Sequence, residues 1–485
     1  MGIVFKQSFN NTLILFLGFT IGGLNVLFLY THFLEAEYFG LITFLLSTAN
    51  MIMPLIVFGM QHTIIKFFSA YQHKQEQDNF LLTAVLLPML IIIPLAFLGV
   101  IFYQQIATFL ARENMIIEKY TYTIFFTAIF MGYFEVFYAW SRVQMKSVFG
   151  NFIKEVFARI CVSVLLFAVY FGWIDAEQFI YAVVIVYLLR MIIMKVYALN
   201  LYAPKIEWKG LPKNIKEILS FSLYIIMAGS AGTVLLEIDK FMIPQMKHIA
   251  EVAYYSVGVY IASVIGIPSR AMQQIINPIT ARELNKNNMV EVENLYQKSS
   301  LNLLIVGGLL FLLINTNIED LYRIIDREEY SVGIYVVLVI SIAELIKLSI
   351  GTNGAILTNS RYYKILFYYA IGMAISVVVL NRILIDFMGI QGAALATLMV
   401  VALFSLLKVI YVSKKMKMQP FTTKTMLLLL IISIMFMIFY FIDLPFNAYL
   451  NILIKSSLIT VVFLFLVIKL KLSLDINLMI DRYFK

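Results

Sequence analysis

The chain is poor in charge. Asp, Glu, Lys and Arg make up 13% of its 485 residues, against roughly 25% in soluble domains. It holds one cysteine, Cys161, inside an apolar segment, so no intrachain disulfide can form and a thiol site is not expected. The four histidines, His32, His62, His73 and His248, are scattered near the ends of apolar segments and read as solvated side chains. There is no H-E-x-x-H and no Cys/His cluster, so a zinc centre is not expected. There is no G-x-x-x-x-G-K-[ST] phosphate loop, which excludes ATP hydrolysis by that route. No polar stretch is long enough for a separate catalytic domain. No cofactor, no metal and no enzymatic activity are expected. MGIVFKQSFN runs into apolar sequence without a small-residue cleavage site, and Lys6 stands where a myristoylation motif needs Ser or Thr.

What the chain has is apolar length. Hydrophobic residues reach 62%, against roughly 45–50% in soluble domains. A membrane-spanning helix needs roughly 20 apolar residues, and about fourteen such segments follow one another: 9–31, 40–62, 80–102, 121–141, 150–172, 177–200, 218–244, 250–278, 299–316, 332–357, 362–381, 388–412, 425–443 and 448–469. The expected fold class is an all-α integral membrane protein. The net charge of +9 sits in short loops, where it orients helices, so membrane lipids and not nucleic acid are the expected surroundings. One set of connections carries Lys66, Lys74, Arg142, Lys146, Lys205, Lys213, Lys216, Arg282, Lys286, Arg361, Lys364, Lys414, Lys415 and Lys424. The alternate set carries Glu35, Glu37, Asp175, Glu177, Glu319, Asp320, Glu328, Glu329 and Asp443, with Arg112, Lys247, Arg323, Arg327 and Arg382 as exceptions. The positive-inside rule then puts both termini in the cytoplasm.

Spans seven and eight are long, and Pro244, Pro268 and Pro278 are expected to break them. Pro54, Pro88 and Pro94 fall in other spans. Breaks at membrane depth must face protein or a water-filled cavity. The chain also repeats. EAEYFGLITFLLSTANMIMPLIVFGM and IAEVAYYSVGVYIASVIGIPSRAM each run from a short outer loop through a proline-bearing span. Two six-span halves of equal orientation make a parallel repeat, with substrate expected between them. The division is 1–210, 211–415, and a terminal pair with a short tail over 416–485.

These segments carry a family resemblance. FLEAEYFGLITFLLSTANMIMPLIVFGM resembles the opening of polysaccharide-biosynthesis flippases. ILSFSLYIIMAGSAGTVLLEIDKFMI, with Asp239 and Lys240, is similar to their seventh span. VAYYSVGVYIASVIGIPSRAMQQIINPITAREL, with Pro268, Arg270 and Pro278, resembles the eighth, and GIQGAALATLMV the twelfth. The resemblance implies the multidrug/oligosaccharidyl-lipid/polysaccharide exporter superfamily, with two six-helix bundles forming a V around a central cavity. Its branches move lipid-linked oligosaccharides, the peptidoglycan lipid precursor or drugs. Fourteen spans fit the lipid-linked branches better than the twelve-span antiporters. Lys66 stands where the family pattern leads one to expect an arginine, and Lys binds phosphate as a point charge, not as a fork.

A charge at membrane depth is costly and normally faces the bundle interior. Glu135 lies in the fourth span, Glu155 and Arg159 in the fifth, at i,i+4 spacing on one helical face. Depth counting predicts a Glu135–Arg159–Glu155 cluster, serving either a cavity or structure. Arg190 in the sixth span is expected to meet a pyrophosphate or to snorkel to the cytoplasmic face. Glu344 and Lys347 in the tenth form an i,i+3 pair. Arg270 in the eighth is a cavity or head-group residue, followed by Gln273, Gln274 and Asn277. Asp239 is a gate or packing candidate.

A diphosphate bearing sugars cannot cross hydrocarbon unaided. The sequence therefore reads as a flippase that moves an undecaprenyl-diphosphate-linked oligosaccharide from the cytoplasmic to the outer leaflet of the bacterial inner membrane. The product would feed O-antigen, capsule or exopolysaccharide. Candidate partners are that lipid, H+ or Na+ as coupling ion, and the polysaccharide polymerase machinery. The rivals are a cation-coupled multidrug antiporter, a membrane-embedded polymerase or ligase (for which no large outer loop exists) and a non-transporting scaffold.

Overall fold

A computed structural model describes residues 2–205 and 210–473. Every regular element among the described residues is helical. Twelve of the helices are long and apolar enough to cross a membrane, from Asn10–Phe33 near the N-terminus to Ala448–Lys469, which makes the chain a multi-pass membrane protein. Two more helical stretches stand where the sequence places spans five and seven. The first is continuous over residues 148–170 and carries Lys154, Glu155 and Arg159. The second is Ile215–Met242.

The helices break where backbone hydrogen bonding fails. Pro54 lies inside Ala36–Ile56, and Phe58 and Gly59 follow with φ of 49° and 62°, so the chain turns and restarts as Met60–Phe67. Pro88 separates Lys74–Leu86 from Met89–Ile101. The eighth span changes to 3-10 geometry at Val264–Gly266, just before Pro268 opens Ile267–Asn285. Pro244 lies in a 3-10 turn, Ile243–Gln245, that ends the seventh, while Pro278 stays inside a helix. Two breaks have no proline signal. Asn25–Leu29 in the first span and Ile153–Phe157 in the fifth are π-helical. Such wide turns are rare and recur at functional sites.

The chain forms two compact units, Met1–Ala253 and Tyr254–Lys485. In the first, Ile116–Val143 is central. It packs against Ala36–Ile56, Met60–Phe67 and Ala176–Leu201, and Ile215–Met242 packs on Ala36–Ile56. Trp140, Tyr120, Phe134, Phe44 and Phe80 are fully buried there. Met89–Ile101 buries no residue, as suits a helix facing lipid tails. In the second unit, Met289–Asn315 packs on Ile334–Ser349 and on the last two helices. Leu304, Leu312, Leu428, Ile459 and Phe463 form that core. A smaller core gathers Val292, Tyr296, Ile356, Leu357 and Val412.

Candidate functional site

Several charged side chains of the first unit lie within range of one another. Lys154 Nζ lies 2.7 Å from Glu135 Oε1. Arg159 Nη1 lies 3.3 Å from Glu155 Oε2 and donates to the Glu155 carbonyl at 3.0 Å. Glu135 therefore takes Lys154 as its ion-pair partner. The expected cluster of Glu135, Arg159 and Glu155 becomes two pairs. The reason lies in helix geometry. Successive residues of a helix point to different sides, here across the wide turn Ile153–Phe157, so Lys154 turns to the fourth span while Glu155 and Arg159 turn to the first.

There Gly18 lets the two helices meet. A Cβ at Gly18 would lie 2.6 Å from Arg159 Nη1 and 2.7 Å from the Glu155 carbonyl oxygen. Asn25, at the start of the π turn, donates to the Arg159 carbonyl at 2.9 Å. Ser163 donates to the same carbonyl at 2.9 Å and to Asn25 Oδ1 at 2.6 Å. Arg159 thus stands on a backbone held from two sides.

Arg190 is only 8% exposed. Its guanidinium carbon sits 3.9 Å from the centre of the Phe134 ring and 5.5 Å from that of Tyr187. It does not snorkel; it lies inside the unit, within electrostatic range of Tyr187, Glu135, Glu155 and Arg159. Its Nε has no hydrogen-bond partner among the described residues. The seventh span adds Glu237, which receives Lys240 Nζ at 3.0 Å and Asn50 Nδ2 at 3.0 Å. Tyr187 lies in range of Arg190, Arg159, Glu237 and Glu155, joining the parts. Asp239 is buried, two residues from Glu237 and so on another side of its helix.

The group holds four cations (Lys154, Arg159, Arg190, Lys240) against three carboxylates (Glu135, Glu155, Glu237). One cation is stacked on an aromatic ring with a donor to spare. Arginine forks suit phosphate oxygens, so the arrangement can hold an anionic group.

In the second unit, Lys347 Nζ lies 2.7 Å from Glu344 Oε1, so that pair satisfies itself. The Glu344 carboxylate lies against Gly266 in the broken eighth span. Lys408, on Ile390–Met416, is within electrostatic range of Lys347. Arg270 is exposed. The Gln274 side chain lies outside the described residues. Sequence reasoning passed over Lys154, Tyr187, Asn50 and Lys408. Lys154 and Lys408 were visible as cations inside apolar segments. Tyr187 and Asn50 carried no signal that separates them from other tyrosines and asparagines.

The family described as polysaccharide biosynthesis protein matches residues 8–279. Among solved structures, the lipid II flippase MurJ in an inward closed conformation superposes with a TM-score of 0.70 at 15% identity, covering 93% of this chain and 97% of that one. An inward-facing multidrug resistance MATE family transporter of the MOP superfamily gives 0.56 at 11% identity, over 90% and 95%. A MOP superfamily transporter from Pyrococcus furiosus gives 0.56 at 10%, over 89% and 96%. The fold is therefore the one shared by these proteins. No curated protein sequence matches the chain.

Proposed function

The chain belongs to the polysaccharide biosynthesis protein family, and from that premise we propose that it is a flippase for an undecaprenyl-diphosphate-linked oligosaccharide. It would carry the head group from the cytoplasmic to the outer leaflet of a bacterial inner membrane for O-antigen, capsule or exopolysaccharide synthesis, with both termini cytoplasmic. The observation that carries the reading is Arg190. It is a buried cation with a hydrogen-bond donor left over, beside Arg159, in the first unit of a chain from this family. A buried, underused arginine is costly, and a diphosphate is a suitable partner.

The apolar carrier tail can stay in lipid while the head group passes the polar cluster. Glu135 and Glu155 hold Lys154 and Arg159 in place and keep the cluster from binding the diphosphate too tightly to release it. Either H+ or Na+ can supply the drive through these carboxylates, and the polymerase that consumes the glycan is the natural partner outside. Exchange of a drug against a cation is the second reading, favoured by the fold shared with a multidrug transporter.

The test is deletion of the gene in its native host, followed by assignment of the lipid-linked glycan to a leaflet. The expected result is glycan trapped on the cytoplasmic side, restored by the wild type and not by a stably expressed Arg159→Ala/Arg190→Ala double variant. Unchanged surface glycan with altered drug sensitivity would replace this reading with the antiporter.

A further inference from the structure

The second unit contains a cavity of about 440 Å³, within the range of roughly 300–1,000 Å³ typical of small-molecule sites. It lies between Ile267–Asn285 and Asn353–Asn359. Its polar lining is Gln273, Asn277, Thr352, Thr358 and Asn359, and among the described residues no lining residue is charged. An uncharged wall of amides and hydroxyls is a different chemistry from the ion pairs of the first unit's cluster.

The unused hydrogen-bonding capacity of this wall includes both donors and acceptors. Gln273 Nε2 donates to Ser269 Oγ at 3.0 Å, leaving its second N–H and Oε1. Asn359 Nδ2 donates to the Ala355 carbonyl at 2.8 Å, leaving its second N–H and Oδ1. Thr358 Oγ1 donates to the Gly354 carbonyl at 2.8 Å, leaving its lone pairs. Asn277 is exposed, and its amide offers both donors and an acceptor. A ligand rich in hydroxyls, which both donate and accept, complements such a wall; a phosphate brings a full charge that no described lining residue neutralises. The helix ends that form the cavity lead to Arg282 and Arg361. By the loop charges this is the cytoplasmic side, where a loaded carrier is presented.

We infer that this cavity is a subsite for an uncharged sugar of the glycan, separate from the cationic cluster of the first unit. The inference rests on the flippase reading. Gly354 makes it testable, because a Cβ there would meet nothing within 4 Å. A leucine side chain can then grow into the cavity, and leucine is a better helix former than glycine.

The experiment uses the full-length protein in nanodiscs, carrying Cys161→Ser and Asn277→Cys. Maleimide labelling of the introduced thiol is followed with undecaprenyl-diphosphate-linked glycan from the native host, with sugar-free undecaprenyl diphosphate, and with the glycan released from its lipid. The glycan-bearing lipid is expected to protect the thiol, and sugar-free undecaprenyl diphosphate to bind without protecting it. Protection by released glycan at higher concentration supports the subsite as well. In parallel, Gly354→Leu is expected to weaken binding of the glycan-bearing lipid about tenfold, equivalent to about 1.4 kcal/mol, and to leave sugar-free carrier unaffected. If both lipids bind but protect equally or not at all, the sugar subsite is wrong and the flippase reading stands. If neither lipid binds, the flippase reading fails and the subsite with it.

Discussion

Lys154 and Glu155 are neighbours in the chain, yet they serve different partners, and that makes two separate ion pairs from one stretch of the fifth span. A pair that only holds helices together and a pair that also meets substrate differ in a measurable way. Removing one member of a desolvated pair leaves an uncompensated charge, while removing both often costs little. Glu135→Gln and Lys154→Gln are each expected to lower the melting temperature in detergent, and the double variant to recover most of the loss. The coupling would be about 1 kcal/mol, within the range of roughly 0.5–3 kcal/mol for contacting residues. A double variant that recovers stability but not glycan export would place the pair in transport; additive losses would deny the pairing itself. Gly18 makes a second residue-scale case. Alanine is the better helix former by about 1 kcal/mol, but its Cβ would strike a backbone carbonyl, which cannot swing away. Gly18→Ala is therefore expected to lower the melting temperature against propensity; a stabilised variant would show that the first and fifth spans do not touch there. At this scale the sequence marks charges inside apolar runs, Glu135, Glu155, Arg159 and Arg190, of which Arg190 is buried and the others half-buried, but it does not mark the buried Lys455. It does not show who pairs with whom, because partners come from different helices, and a residue step of roughly 100° separates one choice from another.

The helices themselves are more legible than their contacts. Length and apolar composition suffice to place them, and prolines mark the breaks after Ile56 and around Pro88 and Pro268. The π turns at Asn25–Leu29 and Ile153–Phe157 were not legible, since no residue type demands one. The last two helices show the same limit. Thr422 and Asn447 cap their first turns by accepting from the backbone N–H groups of Thr425 and Leu450, caps that any sequence reading can find. What fixes the last helix is Lys455, a buried lysine that donates to the Thr316 carbonyl at 3.0 Å. Thr316 closes Met289–Asn315, so Lys455 satisfies the end of another helix, where a cation also suits the macrodipole. Asn451 adds a longer contact to Asp320 at 3.4 Å, and Arg323 holds Asp320 at 3.0 Å. Lys455→Met is expected to destabilise the protein by about 1–3 kcal/mol, the cost of an orphaned buried acceptor. It should lower export only in step with protein level. A normal melting curve would show that the last helix is held by apolar packing alone.

On the proposed function, the direction of flipping would be set at the scale of the whole molecule, by orientation in the membrane. The cations of the loops that hold Lys66, Arg142, Lys213, Arg282, Arg361 and Lys414 far outnumber those of the alternate loops. One exception, Arg323, is tied down by Asp320 at 3.0 Å. The charge bias between the two sets of loops predicts which set is cytoplasmic, and topology fusions test it. Fluorescent-protein fusions truncated after Lys146, Arg282 or Lys415 are expected to glow, because that fold forms only in the cytoplasm. Alkaline phosphatase fused after Glu177, Glu329 or Asp443 is expected to be active, because it needs the periplasm. The opposite pattern would leave every helix where it is and invert the molecule. The uncharged cavity beside Asn277 would then open to the outer face, and the chain would be built to return a carrier and not to export it. Even helix counts of twelve and fourteen both keep the termini on one side, so fusions at internal loops decide what a fusion at the C-terminus cannot.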